Sequence, residues 1–311
     1  MIKSIQLRDE NGDKIEMSMD GDHDFILDSI DWDGVSVDIY KYKVPYQIGQ
    51  SISGVSIGTR EPTIIGYIVG RVQNSIGMKW NEYYEQCEKD IERKKRKLNR
   101  FISPFKDIDI LVGEYRLKCR PEGSVKYSRE MGENNEVLCK FQIDLFSPSA
   151  VFETDETKQS LFVVTDGMFS FPWELEENNT IMGEIKTNKV IAINNEGDFD
   201  SGCIIKVIAL NGDVVNPKFY NVQTGDFIRI VKTISYGDYV IINTNKDEES
   251  IIYYYADGTE ENIIAYVDEG SSFLQIKAGE YVYSYAAEDG TEDSAEMSVE
   301  YKERYFNIDS M

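Results

Sequence analysis

Val137-Leu-Cys-Lys-Phe-Gln-Ile-Asp-Leu-Phe-Ser-Pro-Ser149 reads as a β-strand that is then stopped. Val137, Cys139, Phe141, Ile143 and Leu145 alternate with Leu138, Lys140, Gln142, Asp144 and Phe146. A period of two puts the first set on one face of a pleated strand, so that face is buried and the mostly polar one is wet. Pro148 has no N–H for a ladder, and Ser147-Pro-Ser149 predicts a domain boundary. Upstream, Gly113, Tyr115, Leu117 and Cys119 share one face of the run 109–120, and 64–72 is a further strand. The runs 2–8 and 14–19 flank Asn11-Gly12, the strongest short hairpin signal. Val35–Tyr40 alternates again, whereas Gln47–Gly58, rich in Gly and Ser, reads as a flexible loop or long hairpin tip.

One segment breaks the strand pattern. Residues 79–102 contain no Gly or Pro, and Trp80, Tyr84, Cys87, Ile91, Leu98 and Ile102 follow in steps of 4, 3, 4, 7 and 4. Those steps place them on one face of a helix, which Pro104 then stops. Downstream of 149 the chain reads as short strands: 190–194, 203–210, 226–232, 239–243, 250–255, 262–267, 273–276 and 280–286. Asn211-Gly212, Gly237-Asp238 and Asp257-Gly258 separate several of them, the spacing of a β-sandwich. Asp257-Gly-Thr-Glu-Glu and Asp289-Gly-Thr-Glu-Asp echo each other and predict two similar hairpins. The expectation is a mainly β chain of two domains: 1–149, with the one long helix, and an acidic β-sandwich over 150–311.

Charge divides the same way. The chain of 311 residues carries −23, but residues 1–150 hold 22 Lys+Arg and 25 Asp+Glu, while 151–311 hold 11 and 31. So acidic a surface repels phosphate, which argues against specific nucleic-acid recognition. No apolar run approaches 18 residues, and the first ten residues lack a signal-peptide apolar stretch, so neither membrane nor secretion is expected. Cys87, Cys119, Cys139 and Cys203 form no C-x-x-C pair and read as four small buried thiols.

Chemistry-bearing patterns are absent. His23 is the single histidine, set in Asp20-Gly-Asp-His-Asp24, and no G-x-S-x-G elbow accompanies it. Asp20-x-Asp22-x-Asp24 resembles the start of a calcium loop, but its sixth position is Phe25, not Gly, and its twelfth is Asp31, not Glu. No phosphate-binding glycine motif exists, and 56 acidic residues make any carboxylate pair uninformative. No catalytic residue, metal ligand or cofactor is therefore assigned. The one concentrated feature is basic: Arg93, Lys94, Lys95, Arg96, Lys97 and Arg100 put six positive charges into eight residues of the helix. Glu82, Glu85, Glu88, Asp90 and Glu92 occupy its other half, the polarity a helix dipole favours.

The order of these segments resembles a known family. A β-rich first part holds one helix ending in Ile102-Ser-Pro-Phe105, then Tyr115-Arg-Leu-Lys-Cys-Arg120, then Phe141-Gln-Ile-Asp-Leu-Phe-Ser-Pro-Ser-Ala150. Further on come Ile193-Asn-Asn-Glu-Gly-Asp198, Asn216-Pro-Lys-Phe-Tyr-Asn221 with Gly225-Asp-Phe-Ile-Arg-Ile230, Tyr236-Gly-Asp-Tyr-Val-Ile-Ile-Asn243 and Ser272-Phe-Leu-Gln-Ile-Lys-Ala-Gly279. This ordered series is similar to the distal tail proteins of long-tailed phages and prophages, with Ile276 where Leu is usual and with the segment after Glu288 outside the pattern. The resemblance implies a ring, usually hexameric, built from the N-terminal part. It also implies a galectin-like, carbohydrate-module-like C-terminal sandwich outside that ring. The ring would join the tail tube protein to the tail-tip hub or tail-associated protein, with receptor-binding or baseplate proteins attached and DNA passing through the lumen. Assembly in the bacterial cytoplasm, a place at the virion tail tip and no enzymatic activity follow from the same likeness.

A closed ring needs a heterologous, head-to-tail interface. The basic helix residues and Asp20, Asp22, Asp24 and Asp28 in the acidic stretch 20–33 are expected to meet between subunits or across a domain seam. The rival reading is a carbohydrate-binding or host-attachment module, in which Tyr253-Tyr-Tyr255 stacks on sugar; the alternative use of those rings is as sandwich core and sheet cover.

Overall fold

The computed structural model describes residues 2–308 apart from 22, 33–34, 36, 73–76, 131, 167–183, 188 and 247, with the backbone alone for 163–166 and 184–187. The chain forms two compact units, Met1–Asp155 with Phe306–Met311, and Glu156–Tyr305.

The first unit contains β1 (Ser4–Asp9), β2 (Lys14–Ser18), β3 (Phe25–Asp31), β4 (Val37–Tyr42), β5 (Ser51–Ile57), β6 (Thr63–Val69), α1 (Trp80–Phe101), β7 (Ile108–Val112), β8 (Tyr115–Pro121), β9 (Lys126–Tyr127), β10 (Leu138–Phe146) and β11 (Phe152–Thr154). Strand order in its main sheet runs β11-β8-β7-β1-β2-β3-β6-β10-β9, and β10 pairs again with β8 through Leu145–Pro121 and Phe146–Arg120. That second pairing closes the strands from β8 to β10 into a barrel, which removes their free edges. β1 and β2 form the expected antiparallel hairpin around Gly12, whose φ of +84° suits glycine. Alternation fills the interior: Ile5 and Leu7, Ile15 and Met17, Ile64 and Ile68, and Cys139, Phe141, Ile143 and Leu145 are all buried. Each large side chain so removed from water contributes about 1.5–3 kcal/mol. Gly66 is obligatory in β6, because a Cβ there would lie 2.5 Å from the Ile26 carbonyl and 2.7 Å from the Phe141 ring.

α1 begins after Lys79, whose backbone is extended, and ends where the Ile102 N–H donates to the Leu98 carbonyl at 2.8 Å. Cys87, Ile91, Leu98, Phe101 and Ile102 are buried as the stripe requires. Two residues of the expected face are not: Trp80 is 75% exposed and Tyr84 is also exposed. The stripe runs one turn beyond the surface that the described residues supply.

Two further expectations are corrected. Of the two readings of Gln47–Gly58, the hairpin holds and the flexible loop does not: Ser51–Ile57 pairs antiparallel with Val37–Tyr42 as a two-stranded ribbon, turned through Tyr46 and Gly49 at positive φ, with a bulge between Tyr40 and Lys41. Second, the chain does not leave the first unit at Ser147-Pro-Ser149. Ser147 exchanges backbone hydrogen bonds with Arg60, its hydroxyl donates to the Lys118 carbonyl at 2.7 Å, and β11 then pairs with β8. Arg8 holds Asp155 at 2.8 Å and Asp109 at 3.0 Å, and the buried Arg60 donates to the carbonyls of Ala150 and Phe306 at 3.1 and 2.8 Å.

The second unit is a sandwich. β12 (Lys158–Leu161), β13 (Val163–Asp166), β14 (Glu184–Thr187), β15 (Val190–Asn195), β16 (Cys203–Ala209), β17 (Val215–Asn221), β18 (Phe227–Arg229), β19 (Tyr239–Asn243), β20 (Ser250–Tyr254), β21 (Glu260–Asn262), β22 (Gly279–Glu288) and β23 (Ala295–Tyr301) follow in order. One sheet runs β12-β23-β16-β19-β20-β21 and the other β15-β22-β17-β18, with β13-β14 a separate ribbon. Their inner faces share a core containing Ile205, Val207, Phe219, Val240, Tyr253, Tyr283 and Val299. Phe219 stacks on Tyr283 at 5.5 Å and meets Phe162 edge-on at 5.9 Å. The two acidic echoes diverge: Asp257-Gly258 turns β20 into its neighbour β21, whereas Asp289-Gly290 carries the chain from one sheet to the other. The segment after Glu288, which the sequence pattern did not place, supplies β23 between β12 and β16.

Candidate assembly surface

Helix periodicity turns the basic run into three environments. Lys94 is 3% exposed, with Nζ 2.8 Å from Asp90, 3.1 Å from Asp24 and 2.9 Å from the Val69 carbonyl, to which it donates. It fills the place between Ile91 and Leu98 where the apolar stripe skips a turn. Arg93 and Lys95 bond back to Asp90 at 2.6 Å and Glu92 at 3.0 Å, and Lys95 lies over the Tyr127 ring at 5.4 Å. Arg96, Lys97 and Arg100 are exposed; Lys97 sits 5.9 Å from the Phe25 ring centre. Among the described residues Arg96 and Arg100 form no ion pair.

The acidic stretch is equally divided. Asp24 is exposed and bound to Lys94, so one contact between the two expected partners is made within a single chain. Asp20 and Asp28 are exposed, while Asp22 and Asp33 lie outside the described residues. His23 places its ring nitrogen 3.9 Å from Glu16. The four cysteines are buried and unpaired, and burial pushes the Cys203 thiol up to about 12, far from a reactive thiolate.

Buried carboxylates give the fold its acid sensitivity. Burial alone raises the Asp90 carboxyl, but Lys94, the Arg71 backbone N–H and Arg93 outweigh it and hold the group below its ordinary value. In the second unit Glu303 behaves alike: burial raises it, and Lys158 at 2.6 Å, the Glu196 N–H and the Tyr305 hydroxyl prevail and lower it. A carboxyl lowered on folding contributes stability that is complete above its unfolded value and lost as pH falls through the folded one. Thermal melting temperatures of both units are therefore expected to hold down to about pH 5 and to fall steeply toward pH 3. Melts recorded across that range by circular dichroism check this.

Apolar surface is concentrated in the first unit. Register puts Val37, Ile39, Ile52, Val55 and Ile57 on one face of the β4–β5 ribbon, and each is 40–63% exposed. The other face carries Asp38, Tyr40, Tyr42, Ser51 and Ser56. At the start of α1, Trp80, Tyr83 and Tyr84 cluster with ring centres 5.8–6.4 Å apart. Sequence reasoning missed the ribbon face. Its signal was the apolar alternation of Val37 and Ile39, matched by Val55 and Ile57.

In the second unit the three tyrosines separate by strand alternation. Tyr253 is buried, with its hydroxyl donating to Asp238 at 2.7 Å and accepting the Ser235 N–H at 3.0 Å. Tyr254 points to the opposite face and stacks on Tyr239 at 4.7 Å. Tyr255 is half-buried with its hydroxyl on Glu261.

Residues 196–305, within this second unit, match the family model described as the C-terminal domain of the siphovirus-type tail component. The match covers about a third of the chain, and it is the second unit that is similar to the siphovirus-type tail components. No curated protein matches it. Among solved structures, the chain resembles the crystal structure of the SPP1 Dit protein (gp 19.1), described as a paradigm of the hub adsorption apparatus in phages that infect Gram-positive bacteria. The TM-score is 0.63 at 11% identity, over 96% of this chain and 98% of that one. The two share a fold along nearly their whole lengths. The phage P2 baseplate in its activated conformation gives TM-scores of 0.43 with Ca and 0.44 with Sr, each at 11% identity over 99% of this chain and 100% of that one. No helix among the described residues is long and apolar enough to cross a membrane.

Proposed function

We propose that the chain is a structural ring protein of a phage tail tip and not an enzyme. In this reading six copies close a ring that joins the tail tube protein to the tail-tip hub, with receptor-binding or baseplate proteins attached outside and DNA passing through the lumen. The observation that carries it is the likeness of fold, over nearly the whole chain, to a protein described as a hub adsorption apparatus. The tail-component match in the second unit supports it independently. So does the first unit, a closed barrel that leaves one aliphatic ribbon face and an aromatic cluster exposed. Exposed Arg96 and Arg100 remain available to the acidic residues of a neighbouring copy. Residues 1–150, with 22 Lys+Arg against 25 Asp+Glu, present DNA with no net positive charge, which favours passage over adhesion.

Light scattering of the purified chain at low salt is expected to give about six times the 35.7 kDa chain mass, and cryo-EM a ring with an open centre. A monomer at every concentration, together with absence from purified virions, overturns the reading.

A further inference from the structure

The β4–β5 ribbon poses a physical problem. A two-stranded hairpin is at best marginally stable in water, and this one turns five aliphatic side chains outward on one face, with no layer of the described residues over them. The start of α1 poses the complementary one. Its buried stripe continues from Cys87 into Tyr84 and Trp80, which emerge into solvent as part of an aromatic cluster. Charge separates the two patches by sign. The ribbon end carries Lys41, on the aliphatic face beside Ile52, and Lys43; the helix carries Glu82 in its first turn and, two turns on, Glu88, with Lys79 before Trp80 the one cation beside the rings. Among the described residues none of Lys41, Lys43, Glu82 and Glu88 has an ion-pair partner.

We propose that the occupant of the ribbon face is a second copy of this chain, and that the aliphatic face of β4–β5 seats on the Trp80–Tyr83–Tyr84 cluster of the neighbour, with Lys41 and Lys43 toward Glu82 and Glu88. The two patches differ in shape and charge and lie on different elements. Their contact is therefore heterologous: each copy offers the ribbon to one neighbour and the helix start to the other, which is the requirement for closure. Aliphatic side chains against aromatic rings, flanked by opposite charges, reproduce the apolar centre and polar rim of a stable interface. The inference rests on the ring reading and names the elements that make the ring.

The test uses full-length chains carrying one added cysteine each, Ile52→Cys in one and Tyr84→Cys in the other. The four native cysteines are buried, so mild oxidation with diamide reports the added pair. Mixed chains are expected to give the Ile52→Cys/Tyr84→Cys covalent dimer, with neither variant cross-linking alone. An Ile39→Asp/Val55→Asp chain is expected to lose the assembled mass in light scattering while keeping the wild-type circular dichroism and melting temperature. A wild-type assembly that survives both aspartates and yields no mixed dimer overturns the ribbon contact and leaves the ring standing. Ile52→Cys homodimers overturn it in favour of ribbon-to-ribbon pairing. A monomeric wild-type chain overturns the ring and, with it, the second copy as occupant.

Discussion

Lys94→Ala is expected to lower the unfolding free energy of the first unit by about 3–5 kcal/mol, the usual cost of removing one partner from a buried ion pair. Lys94 is 3% exposed and its ammonium serves Asp90, Asp24 and the Val69 carbonyl together. Truncation leaves the Asp90 carboxylate, itself 11% exposed, with Arg93 and the Arg71 N–H alone, and it opens a void between Ile91 and Leu98. Lys94→Met combined with Asp90→Asn keeps the volume and removes the stranded charge, so most of the loss is expected to return. Urea titrations followed by tryptophan fluorescence measure both, since Trp32 and Trp80 lie in the first unit. A Lys94→Ala chain as stable as wild type would mean that the lysine reaches solvent. The same variant bears on assembly, because it loosens the helix that presents Trp80 and Tyr84 without touching either ring.

Tyr253→Ala and Tyr254→Ala are expected to differ by most of the stability of the second unit, although the residues are adjacent. The first removes a buried ring, at a cost of about 3–5 kcal/mol. It also strands the Ser235 N–H and removes a donor from Asp238, for about 1–3 kcal/mol more. The second removes one ring of a stacked pair from the outer face, for about 0.5–1.5 kcal/mol. Denaturant melts of the two full-length variants, read by circular dichroism, distinguish them. Equal losses would place both rings in the core and overturn the alternation. The contrast also bears on sugar binding, since a run with one ring buried and two half-buried offers Tyr254, beside Tyr239, as its outward platform.

The strands that alternate cleanly were legible in order: β1, β2 and β10, and the sandwich strands β16, β19 and β20. Where the sequence misled, one residue had two physical uses. Lys94 reads as part of a charged surface by composition, yet helical spacing puts it in the buried stripe, and a lysine can occupy that place because Asp90 lies one turn before it. Gly and Ser in 47–58 left a flexible loop and a hairpin both open, because turn propensity says nothing about a partner strand ten residues away. β23 was legible in principle, since Ala295, Met297, Val299 and Tyr301 alternate strictly and are all buried. The acidic turn before it drew it into a false pairing with the 257–267 echo, although the two turns connect different sheets.

Of the candidate site, the sequence located the helix and its charges but not the apolar faces, because exposure is a property of what fails to cover a residue. Local periodicity alone determined that this chain is mainly β with a single long helix, and composition alone that its acid lies in the second half. Only the tertiary structure decided that β8 returns to β10 to close a barrel, that Lys94 is interior, and that the β4–β5 face and the start of α1 stay open. Side-chain period is fixed within a few residues of chain, whereas closure and burial depend on contacts between segments far apart in it.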